Sequence, residues 1–462
     1  METKLNYKRT FLIGLAFLSI CSFWQMYDNI IPLILQNTYH LGETMTGAVM
    51  ALDNVLAIFL LPVFGMLSDK VHTKLGRRMP FIVAGTILAV IFMMLLPMID
   101  NVEKARWNTG ESFSNQVIFL AVLFFTLVSM GLYRSPAVAL MPDVTPNHLR
   151  SRANAVINLM GAVGGVYALI MIKVLVGKGE TPDYMPLFAS IAAVMAIAVG
   201  ILVITIRENK LREEVEKAEA ANTKKVEEKA IAEGVEAVGE IEAVADTEQS
   251  GATGKVKGMP KEVKHSMYFM LASIFLWFTA YNAVTTAFSR YTKVVWKMEG
   301  GSFANCLMVA TVAAILSYIP IGNISAKIGR KKTIMGGVLL MAACYGGAIF
   351  AREYHPIVNV AFALIGVAWA AINVNSYPMI VAMSSGSDVG KFTGTYYTFS
   401  MAAQILTPVL SGFLLENVSY NTLFPYALFF SLMAFLTMTQ VRHGDVKPQK
   451  KESILENFDV DD

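Results

Sequence analysis

The chain has 462 residues, 55% of them hydrophobic and 16% charged, with a formal net charge of +3. Soluble domains carry about 25% charge, and many runs here exceed the roughly 18 apolar residues that cross a hydrocarbon core about 30 Å thick. This balance excludes a string of soluble domains and a nucleic-acid binder, and it reads as an all-α polytopic membrane protein.

Lys4, Lys8 and Arg9 precede the first apolar run and imitate a signal peptide. No clean small-x-small site follows, and the run continues through Trp24 and Pro32, so it reads as a first transmembrane helix over 11–36. Further spans are predicted over 44–67, 80–99, 116–141, 151–176 and 184–206. After a polar stretch, six more follow over 265–291, 301–326, 333–351, 356–383, 391–415 and 421–441. Twelve spans in two sets of six predict two bundles related by a pseudo-two-fold. The boundaries expected are 1–206 for the first bundle, 207–264 for a linker, 265–445 for the second bundle and 446–462 for a tail.

The linker opens as a charged helical pattern and decays into Gly, Glu, Ala and Thr, which predicts a partly helical, partly disordered segment. The halves echo one another. Trp24 and Asn29 recur 253 residues later as Trp277 and Asn282, and the hinge glycine Gly65 recurs after 257 residues as Gly322. Basic residues gather after span two (Lys70, Lys74, Arg77, Arg78) and span eight (Lys327, Arg330, Lys331, Lys332), whereas the loop at 37–43 has none. The positive-inside rule then places both termini and these hinges in the cytoplasm. The plasma membrane and a functional monomer are expected.

The first hinge carries Gly65, Leu67, Asp69, Lys70, Gly76, Arg77 and Arg78, and the second a shortened copy through Gly322, Gly329, Arg330 and Lys331. This pattern resembles that of the major facilitator superfamily. Four extra residues, His72 to Leu75, and the stretch from Ser135 to Thr145 resemble the glycoside–pentoside–hexuronide:cation symporter branch and its sucrose:proton symporter relatives. The resemblance implies sugar transport by alternating access. At the positions of that branch's sodium-coupling acids stand Ala57 and Leu61, which argues for a proton instead. Asp69, held by Arg77 or Arg78, is expected to latch the cytoplasmic side; Ala326 removes the equivalent acid from the second copy.

Ionisable residues inside a span are costly and expected to face a cavity or a partner. Asp28 lies in span one, Asp53 in span two about 18 Å from Gly65 along the helix, and Arg134 in span four. Together they form a proton-coupling set in which Arg134 holds one carboxylate ionised while the other, preferably Asp28, titrates. Hydrogen-bonding and aromatic residues suited to a neutral polyol come from both halves: Trp24, Gln25, Asn29, Tyr133, Asn154 and Asn158, then Trp277, Tyr281, Asn282, Trp369, Asn373, Asn375, Tyr377, Tyr396, Tyr397 and Gln404.

Cys21, Cys306 and Cys344 sit in apolar runs without metal-ligand spacing. With no nucleophile–base pair or phosphate loop either, neither an enzyme nor a metal or cofactor beyond the coupling proton is expected. Two other readings stay open: proton-driven efflux of an amphipathic molecule, and a transporter-like sensor or scaffold acting through the linker.

Overall fold

The computed structural model describes residues 5–107, 115–146, 149–179, 181–217, 220, 260–383 and 389–445. Most of the predicted linker and the tail from 446 therefore lie outside the described residues. Apart from one isolated bridge between Thr73 and Gly76, the regular structure among them is helical. The first six long helices are α1 (Tyr7–Asn37), α2 (Glu43–Lys70), α3 (Met79–Trp107), α4 (Gln116–Asp143), α5 (Arg150–Leu175) and α6 (Met185–Thr205). A helical segment over 208–217 follows α6. Then come α7 (Lys261–Val294), α8 (Ala304–Ile328), α9 (Arg330–Ala348), α10 (Val358–Met383), α11 (Val389–Asn417) and α12 (Leu423–Thr439).

Eleven helices among the described residues are long and apolar enough to cross a membrane. The exception is α9, 19 residues that open on Arg330, Lys331 and Lys332. α6 and α12 contain no charged residue at all, the pattern of a helix that meets apolar surroundings on every side. Ile204, Val117, Leu316 and Phe350 are exposed on the outer surface, where lipid replaces water as the neighbour. Prolines interrupt several helices, including Pro32, Pro62, Pro136, Pro378 and Pro408. Membrane helices tolerate them because neighbouring helices and local adjustments satisfy the freed backbone groups.

Lipid gives helices no hydrophobic reason to associate, so small residues and hydroxyls bring backbones together. The α1–α5 contact shows how. A Cβ on Gly164 would strike the Leu18 carbonyl, and the Ser22 hydroxyl donates to the Gly164 carbonyl at 2.9 Å. Within the first six helices, α1 packs on α5 and α6, and α3 on α4 and α6. Within the last six, α8 and α9 pack on α10, and α7 on α11 and α12. Contacts between the two sets run chiefly along α2–α11 and α5–α8, with a smaller one between α1 and α7.

The third helix runs eight residues past its predicted end at 99. The charges that end its apolar run are satisfied inside the protein. Thr38 donates to Asp100 at 2.6 Å, Lys104 to Asp100 at 2.5 Å, and the Asn115 N–H to Glu103 at 2.9 Å. The last residues of the predicted linker are also helical, since α7 starts at Lys261.

Candidate functional site

The turn between α2 and α3 defines one end of the molecule, called here the hinge end. Its centre is a carboxylate that the sequence reading assigned to the linker. Glu208 is completely buried, and it accepts the backbone N–H groups of Arg77, Arg78 and Met79 at 2.9–3.1 Å. These are the orphan donors at the start of α3, where a negative charge is also favoured by the helix dipole. Gly76 stands against it with φ +122°, and a Cβ there would strike the Glu208 side chain.

Asp143, at the end of α4, takes the two arginines from the other side: Arg77 Nη2 at 2.7 Å and Arg78 Nε at 2.9 Å. Arg78 also pairs with Asp69 at 2.5 Å and donates to Ser68 and the Gly65 carbonyl. Burial works against the Arg77 charge, but the hydrogen bond and charge of Asp143, with Asp69 and Glu208 behind it, keep its pKa above the ordinary arginine value. Lys70 ends α2 and is exposed. In this conformation the cluster ties α2, α3, α4 and the start of 208–217 to one another, and none of these partners comes from the second half. Neither Asp143 nor Glu208 was singled out from sequence. Their signal, an acid at the mouth of a basic turn, reads as ordinary loop charge.

The second copy is built on the same plan with weaker parts. Gly329 has φ +95° and faces Asp445, which accepts the Lys331 N–H at 3.0 Å. Asp445 thus does for α9 what Glu208 does for α3. Ser325, in the place of Ser68, bonds Asn375 instead of an arginine. Among the described residues Arg330 donates to the Pro378 carbonyl at 3.3 Å, and Gly322 lies within α8.

A cavity of about 1050 Å³ lies between the two sets of helices. It begins at the hinge end, where exposed Arg150 and its neighbour Ser151 line it, and ends near mid-helix at Asp28, Gly165 and Gly366. Of the residues expected to bind or couple, Trp24, Gln25, Asp28, Arg134, Asn154, Asn158, Tyr281, Trp369, Tyr377 and Tyr397 line it. The two walls differ in chemistry. Among the described residues, α1, α4 and α5 supply the charged lining (Asp28, Arg134, Arg150) and the amides, whereas α7, α8, α10 and α11 supply Tyr281, Tyr318, Trp369, Tyr377 and Tyr397. Tyr281 and Trp369 stack face to face, 3.8 Å between ring centroids and 7° between planes.

The remaining expected contacts do not line the cavity. Tyr133 is fully buried, donates to the Ala16 carbonyl at 3.0 Å and shares a hydrogen bond with Ser19, so it joins α4 to α1. Asn375 bonds Ser325 and the Ala371 carbonyl, Trp277 is buried in the apolar core, and Asn29 Nδ2 donates to the Gln25 carbonyl. Asn282, Asn373, Tyr396, Gln404 and Asp53 are likewise absent from the lining. Asp53 bonds its neighbour Asn54 at 2.8 Å. The direct pairing expected of Arg134 with a carboxylate is not formed; its guanidinium lies 5.9 Å from the Trp24 ring centroid. Trp24 Nε1 is buried and has no hydrogen-bond partner.

The family is settled by comparison with known proteins. The model of the Major Facilitator Superfamily matches residues 12–310 and 296–457. The chain belongs to that superfamily and is a multi-pass membrane protein. Among curated relatives, sucrose transport protein SUT3 of Oryza sativa subsp. japonica is 26% identical over 137 residues, 28% of this chain and 27% of the relative. Sucrose transport protein SUC4 of Arabidopsis thaliana is 34% identical over 113 residues, 24% and 22% of the two chains. Chloramphenicol resistance protein CraA of Acinetobacter baumannii is 30% identical over 101 residues, 22% and 24%. The matched stretch thus spans about a quarter of these relatives' length. The fold matches a bacterial homologue of the iron transporter ferroportin (TM-score 0.64, 12% identity, 95% of this chain and 99% of that one). It also matches the nucleoside transporter NupG (0.64, 14%, 94% and 100%).

Proposed function

We propose that this protein is a proton-coupled symporter that takes up a glycoside or small oligosaccharide across the plasma membrane. Its twelve helices, α9 included, act as two six-helix bundles related by a pseudo-two-fold and rock about the cavity between them. The hinge end and both termini face the cytoplasm, following the basic residues of the two hinges. The observation that carries this reading is the cavity itself. Its volume suits a ligand of disaccharide size, its amides and Trp24 offer hydrogen bonds to hydroxyls, and the stacked Tyr281–Trp369 pair offers a flat face to sugar C–H groups.

Asp28 is the coupling residue in this scheme. It lines the cavity and has no ion-pair partner among the described residues, so a proton can neutralise it when substrate is bound. Arg134 and Asp53 adjust the field around it. The loaded carrier, with Asp28 neutral, then reorients inward, which an unpaired charge would oppose.

Uptake of labelled disaccharide into proteoliposomes tests the proposal. A pH gradient should drive accumulation and a protonophore should abolish it; uptake that follows sodium and ignores pH overturns the coupling. Asp28→Asn should lose uphill accumulation yet keep sugar exchange, and unaltered accumulation removes Asp28 from the role.

A further inference from the structure

At the end of the molecule away from the hinge, the two halves are held together by a buried ion pair. Glu43, the first residue of α2, receives Arg290 Nε of α7 at 2.7 Å. Both are almost fully buried, at 4% and 3% exposed. The Tyr420 hydroxyl donates to the other oxygen of Glu43, and Arg290 Nη1 donates to the Thr286 carbonyl at 2.8 Å. Each charge therefore has a hydrogen bond besides the one that joins them, which helps a buried pair to hold its partners in place. At the next residue a second carboxylate crosses the same boundary: Glu416 of α11 accepts the Thr44 N–H at 2.8 Å and its hydroxyl at 2.5 Å.

The backbones close beneath this cluster. A Cβ on Gly47 of α2 would strike the Pro408 carbonyl of α11, and one on Gly412 would lie 2.5 Å from the Glu43 carbonyl. On the other flank, a Cβ on Gly301 would strike the Ile172 carbonyl of α5, and one on Gly300 would lie 2.9 Å from that of Val176. Both seams between the halves are thus tight at this end, and the substrate cavity stops short of it. A separate cleft of about 780 Å³ lies outside the closure, lined by His40, Glu43, Glu416 and Tyr420.

We propose that the Glu43–Arg290–Tyr420 cluster is the lock of the far gate, and that it must part for this end to admit substrate. The inference rests on the alternating-access reading but not on sugar or proton. Glu43 and Arg290 belong to different halves, so any opening of α2 from α7 separates them and exposes both charges to the cleft. The hinge cluster, confined to one half, cannot do this. The protein thus closes its far end with a cross-half ion pair and braces its hinge end within the first half.

The test is labelling from the far side with a membrane-impermeant maleimide, in a background with Cys21, Cys306 and Cys344 replaced by serine. Thr46→Cys supplies the probe, a buried position one turn behind Glu43. Glu43→Gln and Arg290→Gln should each raise its labelling rate roughly tenfold, because a lost partner leaves a buried charge that favours the open state. The exchange Glu43→Arg with Arg290→Glu should return the rate towards that of the parent. Parent-rate labelling in correctly inserted single variants overturns the lock. If those variants fail to insert, Tyr420→Phe keeps the ion pair and should still raise labelling about two- to threefold; no rise overturns the proposal as well. Labelling needs neither substrate nor gradient. A lock that behaves as expected without sugar uptake leaves this inference standing and fails only the symport reading.

Discussion

Glu208 stands against Gly76 so closely that no side chain fits at that position, and the glycine's φ of +122° admits no other residue without strain. Gly76→Ala should therefore destabilise the protein by about 1–3 kcal/mol from backbone strain alone, with the clash added. Gly329→Ala should cost less. Its neighbour Asp445 is exposed and can swing aside, whereas Glu208 is buried and cannot. Thermal unfolding in detergent should rank the two variants in that order; equal midpoints would show that the second hinge is as rigid as the first.

Arg78 and Arg77 look interchangeable in sequence but differ in what they hold. Arg78 is 5% exposed and satisfies Asp143, Asp69, Ser68 and Gly65. Arg77 is more exposed, and its contact with Asp69 is long, at 3.7 Å. Arg78→Ala should cost about 3 kcal/mol, the low end for a broken buried pair because Arg77 still faces Asp143. Arg77→Ala should cost about 1 kcal/mol or less. Unfolding midpoints measure both, and a larger loss at Arg77 would contradict the geometry.

Asn158 lines the cavity and Asn375 does not. Asn158→Ala should raise the KM for sugar several-fold with little change in unfolding midpoint. Asn375→Ala should do the reverse, since it strips Ser325 of its buried partner at a cost of about 1–3 kcal/mol. Transport kinetics and thermal unfolding on the same two preparations separate these outcomes.

Removing residues 221–259 should leave uptake near the parent rate, because the contacts that 208–217 makes with the first half, from Glu208 to the start of α3, from Asn209 to the Thr73 carbonyl and from Glu214 to Arg9, are retained. A deletion that reaches 208 should collapse the hinge and the yield of inserted protein. Loss of uptake with normal insertion in the shorter deletion would point instead to a signalling role for that segment.

The helices and the two glycine hinges were legible because apolar runs and turn residues declare themselves along the chain. The cavity was only half legible. Trp24, Gln25 and Asp28 reach it while Asn29 does not, and Tyr281 does while Asn282 does not. Adjacent residues on a helix point about 100° apart, and nothing in a single uniformly apolar span announces which direction faces the partner half. Glu43 and Arg290 escaped for another reason. They are 247 residues apart at helix ends, where charge is expected for the sake of topology alone. Only the tertiary fold brings them together.

The chemical difference between the cavity's walls has a consequence for how such a carrier can change. Among the described residues, its charged groups stand on the helices of one half, and its stacked aromatic rings on those of the other. In the proposed scheme the coupling carboxylate and the flat aromatic face therefore lie on separate stretches of chain. Changes on α7, α8, α10 and α11 would then alter the aromatic face while leaving Asp28 and its surroundings in place.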